Sequence, residues 1–208
     1  GALDLVSSTS ADVPGSDSSS MPSISADGRH VVFASTAALV PNMTLAVPKD
    51  STEMLGMLRT AVSHDGPFAF RFPRDAAPDL APPIAEVAPV PVGTWEVLRQ
   101  GRDIAVLAMG PMVQQALRAA ETLAAEGIDL TVVNCRYLKP YDEITLHALS
   151  AHHRVLLTVE EGSVVNGFGA MLAAVVARVE PNVRVVAHGV PDRIIYAASR
   201  SRQLASCG

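Results

Sequence analysis

The sequence predicts an α/β protein with a mostly parallel sheet and helices on both faces. Continuous apolar runs such as 104–109 have the character of strands covered on both sides. Between them lie segments whose apolar residues recur at helical spacing, among them Val113, Ala116, Leu117, Ala120, Leu123 and Ala124. The two kinds of segment alternate along the chain, and such alternation implies right-handed crossovers and a parallel sheet.

At 208 residues the chain holds one comfortable core, or one domain plus pieces. We expect four stretches. Residues 1–40 form a leader rich in Ser, Gly and Asp. Residues 41–75 form a strand-helix-strand piece, residues 76–94 a Pro/Ala linker, and residues 95–208 a complete α/β domain. The net charge is −5, and the 16 Lys and Arg are scattered, which gives no footprint for nucleic acid. The longest apolar runs fall far short of the roughly 20 residues that span a bilayer. No basic segment followed by an apolar run marks a secretory signal, and two cysteines, Cys135 and Cys207, fit a reducing compartment. The expectation is a cytoplasmic protein with neither nucleic acid nor membrane as partner.

Taking the elements in order, Asp27-Gly28 separates two short alternating runs within 23–35, a strong local signal for a β-hairpin. The hairpin is similar to one blade motif of WD40-like propellers, and one blade cannot bury its own faces. The α/β text begins at Asn42. Thr44 to Val47 is β-prone, and Pro48-Lys49-Asp50-Ser51 supplies a helix N-cap with Glu53 in the first turn. Met54, Leu55, Leu58, Ala61 and Val62 continue the helix until His64-Asp65-Gly66 closes it. A strand over 68–72 ends at Pro73. Prolines 78, 82, 83, 89 and 91 then favour extended chain. Strands are expected at 104–109, 130–135, 155–159 and 183–187, with helices after Gly110-Pro111, after Asp142 and over 170–179.

Arg74 is the first candidate for chemistry. Its guanidinium is a planar fork that matches phosphate, and it falls just past a strand end, where open α/β folds place ligands. Asp75 beside it opposes an anion. Arg71 is the second choice, with a structural ion pair as its more natural role. The loop from Glu160-Glu161-Gly162-Ser163 to Asn166-Gly167-Phe168-Gly169 joins a strand end to a helix start, where backbone amides attract anions. Two carboxylates at that strand end oppose one, so we read the loop as structural. His152-His153 sits at a helix end, where positive charge is favourable. Ser163 has no nucleophile-elbow context, His188 is a loop residue, and no His, Cys or carboxylate spacing resembles a metal set.

Five motifs occur in order: Pro48-Lys49-Asp50, then His64-Asp65-Gly66-Pro67 leading to Arg71-Phe72-Pro73-Arg74, then Leu138-Lys139-Pro140-Tyr141-Asp142, Val159-Glu160-Glu161, and Gly189-Val190-Pro191-Asp192. Together the motifs resemble the C-terminal part of the 1-deoxy-D-xylulose-5-phosphate synthases, thiamine-diphosphate enzymes of the transketolase family. The resemblance covers roughly residues 41–200. It implies that 41–75 is the end of a pyrimidine-binding domain and that 95–208 is a transketolase C-terminal domain. It also implies a transferase activity that joins a two-carbon unit from pyruvate to glyceraldehyde 3-phosphate with loss of CO2, feeding isoprenoid, thiamine and pyridoxal synthesis. By the same resemblance Arg74 holds the substrate phosphate. The family pattern has Tyr for Phe72, Gly for Asp75 and two adjacent glycines for Asn166-Gly167. Thiamine diphosphate and magnesium serve the parent family through a Gly-Asp-Gly motif, a later Asn and an activating glutamate, which this sequence does not contain. We therefore expect no cofactor to bind this chain alone, no activity from it in isolation, self-association, and missing synthase domains as partners in trans. The alternatives are a non-catalytic dimerisation or docking module and a β-type subunit of a 2-oxoacid dehydrogenase.

Overall fold

The computed structural model describes residues 19–24, 31–35, 42–73 and 82–207. In the leader, strands β1 (Ser19–Ile24) and β2 (Val31–Ser35) pair antiparallel with Ile24 opposite Val31. This is the expected hairpin; its Asp27-Gly28 turn lies outside the described residues.

Strand β3 (Thr44–Ala46), helix α1 (Ser51–Ser63) and strand β4 (Phe68–Phe70) form a parallel strand-helix-strand unit. Asp50 caps the helix by accepting from the Glu53 amide at 2.7 Å, and Gly66, at φ 137°, turns the chain after it. The third strand of this small sheet comes from far along the sequence. Strand β8 (Tyr137–Lys139) pairs antiparallel with β3, Leu45 opposite Lys139 and Ala46 opposite Tyr137. Three residues are too few to show a period, so this strand leaves no trace in the hydrophobic pattern. The unit is too small to stand alone, and β8 completes it. Ala46, Met57 and Tyr137 become fully buried, with Phe68, Phe70, Val90 and Val92 against them.

After a short 3-10 turn at Ile84–Glu86, the chain runs across α1 without helix or sheet to a turn at residues 92–93. The helix holds this strap through its own polar groups. Arg59 donates to the carbonyls of Ala85 (3.1 Å) and Val87, and Thr60 Oγ1 donates to that of Val90 at 2.7 Å. Gly56 permits the approach, since a Cβ there would lie 2.7 Å from the Ala88 oxygen.

The main sheet contains β5 (Glu96–Arg99), β6 (Ile104–Ala108), β7 (Leu130–Asn134), β9 (Val155–Ser163) and β10 (Arg184–Val190) in the order β10-β9-β6-β7-β5. The first four are mutually parallel, as the alternation of strand and helix required, and β5 joins the edge antiparallel to β7. Helix α2 (Met112–Ala124) packs on one face, where Val113, Ala116 and Ala120 meet Val106, Ala108 and Val132. Helices α3 (Glu143–His152) and α4 (Phe168–Val179) cover the other, where Leu146, Phe168 and Leu172 meet Ala105, Leu107, Val133 and Leu156. Helix α5 (Arg200–Cys207) ends the described chain. β9 and β10 run longer than expected because their ladder resumes after an irregularity, with Val190 opposite Ser163.

This strand order creates a crevice. From β6 the chain passes to β7 on one side, then returns across β6 to β9 on the other. The carboxyl ends of β6 and β9 therefore diverge, which is where open α/β sheets take up ligands.

Candidate functional site

Chain from the smaller unit fills the mouth of that crevice. Met109 and Pro111 after β6, and Glu161 on β9, line a cleft of about 220 Å³ with Val47, Arg71, Phe72 and Pro73. Arg71 is shared with a second cleft of about 570 Å³, lined also by Leu138, Glu160, Asn166, Phe168 and Met171. Its backbone amide continues the β3 ladder by donating to the Ala46 oxygen at 2.9 Å. Its guanidinium faces Glu160 Oε2 at 3.8 Å.

Glu160 is buried, with its side chain only 2% exposed. Its Oε1 accepts from the Gly169 amide at 2.9 Å, in the first turn of α4, where the helix dipole favours a negative charge. Glycines surround it. A Cβ on Gly162 would lie 2.3 Å from Glu160 Oε2, and one on Gly167 2.7 Å from Oε1. A Cβ on Gly189 would sit 3.1 Å from the Glu160 Cγ. Asn166 turns the loop at φ 58°, a left-handed conformation that Asn tolerates better than other side chains. The neighbouring Glu161 is neutralised separately by an ion pair with Arg200. Neither carboxylate at this strand end stands uncompensated.

A second polar cluster joins the smaller unit to the main sheet. Glu53, on the first turn of α1, accepts from the Lys49 amide (2.7 Å), from Lys49 Nζ (3.3 Å) and from Asn134 Nδ2 at the end of β7 (2.7 Å). Arg136 Nη1 lies 3.6 Å from the same carboxylate, and Glu96 of β5 pairs with Lys49 Nζ at 3.1 Å. Burial alone would lower the Lys49 pKa, but Glu53, Asp50 and Glu96 outweigh it and hold the ammonium above its ordinary value. Burial alone would raise Glu96, but hydrogen bonds from Lys49 and Asn134 outweigh it and hold that carboxyl below its ordinary value. Asn134 Oδ1 is buried without a hydrogen-bond partner among the described residues.

Of the residues singled out from the sequence, Arg74 and Asp75 lie outside the described residues. Arg71 makes its ion pair with Glu160. His153 is a buried strut, its Nδ1 3.1 Å from the Leu149 carbonyl and its Nε2 2.9 Å from Thr131 Oγ1. Ser163 Oγ accepts from the Val165 amide, His188 is exposed and lies within strand β10 and not in the expected loop, and burial pushes the Cys135 thiol well above its ordinary pKa. Among the described residues no three His, Cys, Asp or Glu side chains gather as a metal set. No helix among them is long and apolar enough to cross a membrane. The sequence reading missed two arrangements, the Lys49–Glu53–Asn134–Glu96 cluster and the glycine cradle of Glu160. The first had a partial signal in the spacing Asp50-x-x-Glu53, a capping-box pattern. The second was visible only as glycines, which do not announce what they surround.

A family model for the transketolase C-terminal domain matches residues 93–208. The chain belongs to that family. Its curated relatives are 1-deoxy-D-xylulose-5-phosphate synthases, as the ordered motifs implied. One from Geobacter sulfurreducens is 41% identical over 170 residues, covering 81% of this chain and 26% of the relative. One from Aquifex aeolicus is 44% identical over 167 residues, covering 80% and 26%. One from Azoarcus is 40% identical over 188 residues, covering 89% and 29%. This transketolase-family chain thus spans about a quarter of the length of the relatives it matches. Among solved structures, a split-gene transketolase described as an inactive β4 tetramer superposes with a TM-score of 0.66 at 31% identity, covering 81% of this chain and 53% of that one.

Proposed function

We propose that this chain is the C-terminal part of a 1-deoxy-D-xylulose-5-phosphate synthase, acting on pyruvate and glyceraldehyde 3-phosphate only together with the domains that bind the cofactor. The observation that carries the reading is the docking of the Arg71-Phe72-Pro73 end of the smaller unit at the strand-order crevice of a transketolase C-terminal domain. Arg74 follows directly in the sequence, and its role is to hold the substrate phosphate. The residues here do not fit thiamine diphosphate with magnesium. The described chain gathers no metal-binding set, its one buried carboxylate near the larger cleft is committed to Gly169 and Arg71, and the sequence has no Gly-Asp-Gly. The cofactor's chemistry belongs to other residues, and this chain supplies position and the substrate contact.

Supplying the remaining domains of a synthase in trans tests the proposal. The expected outcome is turnover in the mixture and none from either part. One charge-assisted contact to phosphate contributes about 1.5 to 3 kcal/mol, so Arg74→Ala should lower kcat/KM for glyceraldehyde 3-phosphate roughly ten- to a hundredfold. An unchanged kcat/KM would remove Arg74 from the site. Calorimetry should detect no stoichiometric complex of the isolated chain with thiamine diphosphate and magnesium; a micromolar complex would overturn that part.

A second reading is a self-associating, non-catalytic module. The solved neighbour's description as an inactive β4 tetramer of a split-gene transketolase supports it. The two readings are compatible, since a chain that assembles with copies of itself can also await its catalytic partner.

A further inference from the structure

We propose that Glu160 is a positioning residue, a carboxylate fixed by the C-terminal domain to clamp Arg71 and thereby set the Arg71-Phe72-Pro73 segment at the crevice mouth. The inference rests on the reading that Arg74 serves the substrate, and extends it to the residue that aims the segment.

Glu160 is unusually well fixed. The Gly169 amide holds Oε1, the α4 dipole stabilises its charge, and Gly162, Gly167 and Gly189 pack closely around it, so that a Cβ on any of them would lie 2.3 to 3.1 Å from a Glu160 atom. Four elements of the C-terminal domain converge on this one group: β9, the loop after it, α4 and β10. Such convergence is more than a helix cap needs, because a cap asks only for an oxygen near the first amides. The second oxygen is turned toward the smaller unit and meets the Arg71 guanidinium at 3.8 Å.

From the other side, Arg71 depends on that oxygen. Among the described residues its guanidinium has no hydrogen-bond partner, and Glu160 is its charged contact. β4 ends at Phe70, so beyond the Arg71 amide no ladder bond carries the segment forward. Phe72 is 61% exposed and contributes little anchoring. An exposed ion pair would be too weak to serve, since two mobile side chains must be ordered and water screens them. Here the acid is already ordered and out of water, so only Arg71 loses freedom.

Amide hydrogen exchange on the full chain separates this role from helix capping. Glu160→Gln keeps an oxygen for the Gly169 amide and the shape of the cradle, and removes only the charge that faces Arg71. Glu160→Ala removes both. The expected result is that Glu160→Gln speeds exchange at the Arg71 amide, which donates to Ala46, roughly three- to tenfold, with the 104–108 amides unchanged. Arg71→Ala should match it, and Arg71→Lys should recover part of the protection. Added salt should speed exchange at the Arg71 amide in the natural chain and not in Glu160→Gln, a response that capping alone does not produce. If Glu160→Gln exchanges like the natural chain while Glu160→Ala does not, Glu160 is a cap only and the proposal is overturned. A uniform rise across 104–108 as well would overturn it too, by making the loss global. These outcomes are independent of turnover. A clamp that behaves as expected beside an Arg74→Ala enzyme with unchanged kcat/KM would leave the positioning intact and remove the substrate role.

Discussion

Single residues explain why two buried polar clusters are tolerated at all. Glu53 would be costly under α1 if it were unpaired, yet Lys49, Asn134 and Arg136 surround it. Removing one partner of such a group is worse than never having built it, so Glu53→Ala should lower unfolding free energy by about 3 kcal/mol in urea titrations. The same cluster sets a pH dependence. Glu96 has a folded pKa below its ordinary 4.5, so its contribution is complete above that value and is lost as pH falls through the folded one. Lys49 has a folded pKa above its ordinary 10.5, so its contribution is complete below that value and is lost as pH rises through the folded one. Lys49→Met should flatten both limbs of a stability-pH curve and leave the neutral plateau lower. A curve whose acid limb is unchanged would mean that Glu96 takes its stabilisation from Asn134 and Arg136 instead. The Asp50 cap was legible in the sequence because capping is local; the rest of the cluster was not, because Glu53 and Asn134 are 81 residues apart.

Among the elements, the long and strongly patterned ones were readable. The apolar run of β6 and the helical period of α2 gave both their type and their order. β5 and β8 were missed for the same physical reason, since four and three residues cannot display a period, and each is defined by the strand it pairs with. In the described part of the proline-rich stretch, residues 88–91 run without helix or sheet as read, but their packing was not legible, because the groups that hold the stretch are Arg59 and Thr60 on α1. Gly56 makes this dependence testable. Replacing a mid-helix glycine by alanine ordinarily stabilises by about 0.5 to 1 kcal/mol. Here the new Cβ would meet a backbone oxygen at 2.7 Å, which cannot swing aside as a side-chain tip would. Overpacking of that kind costs about 1 to 3 kcal/mol, so Gly56→Ala should destabilise. It should also open residues 82–92 to a non-specific protease. A stabilised variant with unchanged cleavage would show that the strap moves away without cost.

On the scale of the molecule, the described residues join the sheet and the smaller unit through the β3–β8 ladder, the Lys49 cluster and the Arg71–Glu160 pair at the crevice. These joints lie inside the described chain, whereas several large apolar residues point outward. Ile144 is 84% exposed, Ile194 80% and Tyr196 82%. Scattered exposed apolar residues are normal, but Ile194 and Tyr196 are close in sequence, and together with Phe72 they add exposed apolar area to a chain that spans only about a quarter of its relatives. Removing surface of this kind from water favours association. The expectation is therefore reversible self-association, seen as a weight-average sedimentation coefficient that rises through the micromolar range. Because the driving force is apolar, the rise should persist at high salt, where an assembly held by surface charges would weaken. Ile194→Lys with Tyr196→Lys should shift the curve to higher concentration without changing the unfolding midpoint, because neither side chain is packed in the fold. A single species of monomer mass at high micromolar concentration would count against self-association.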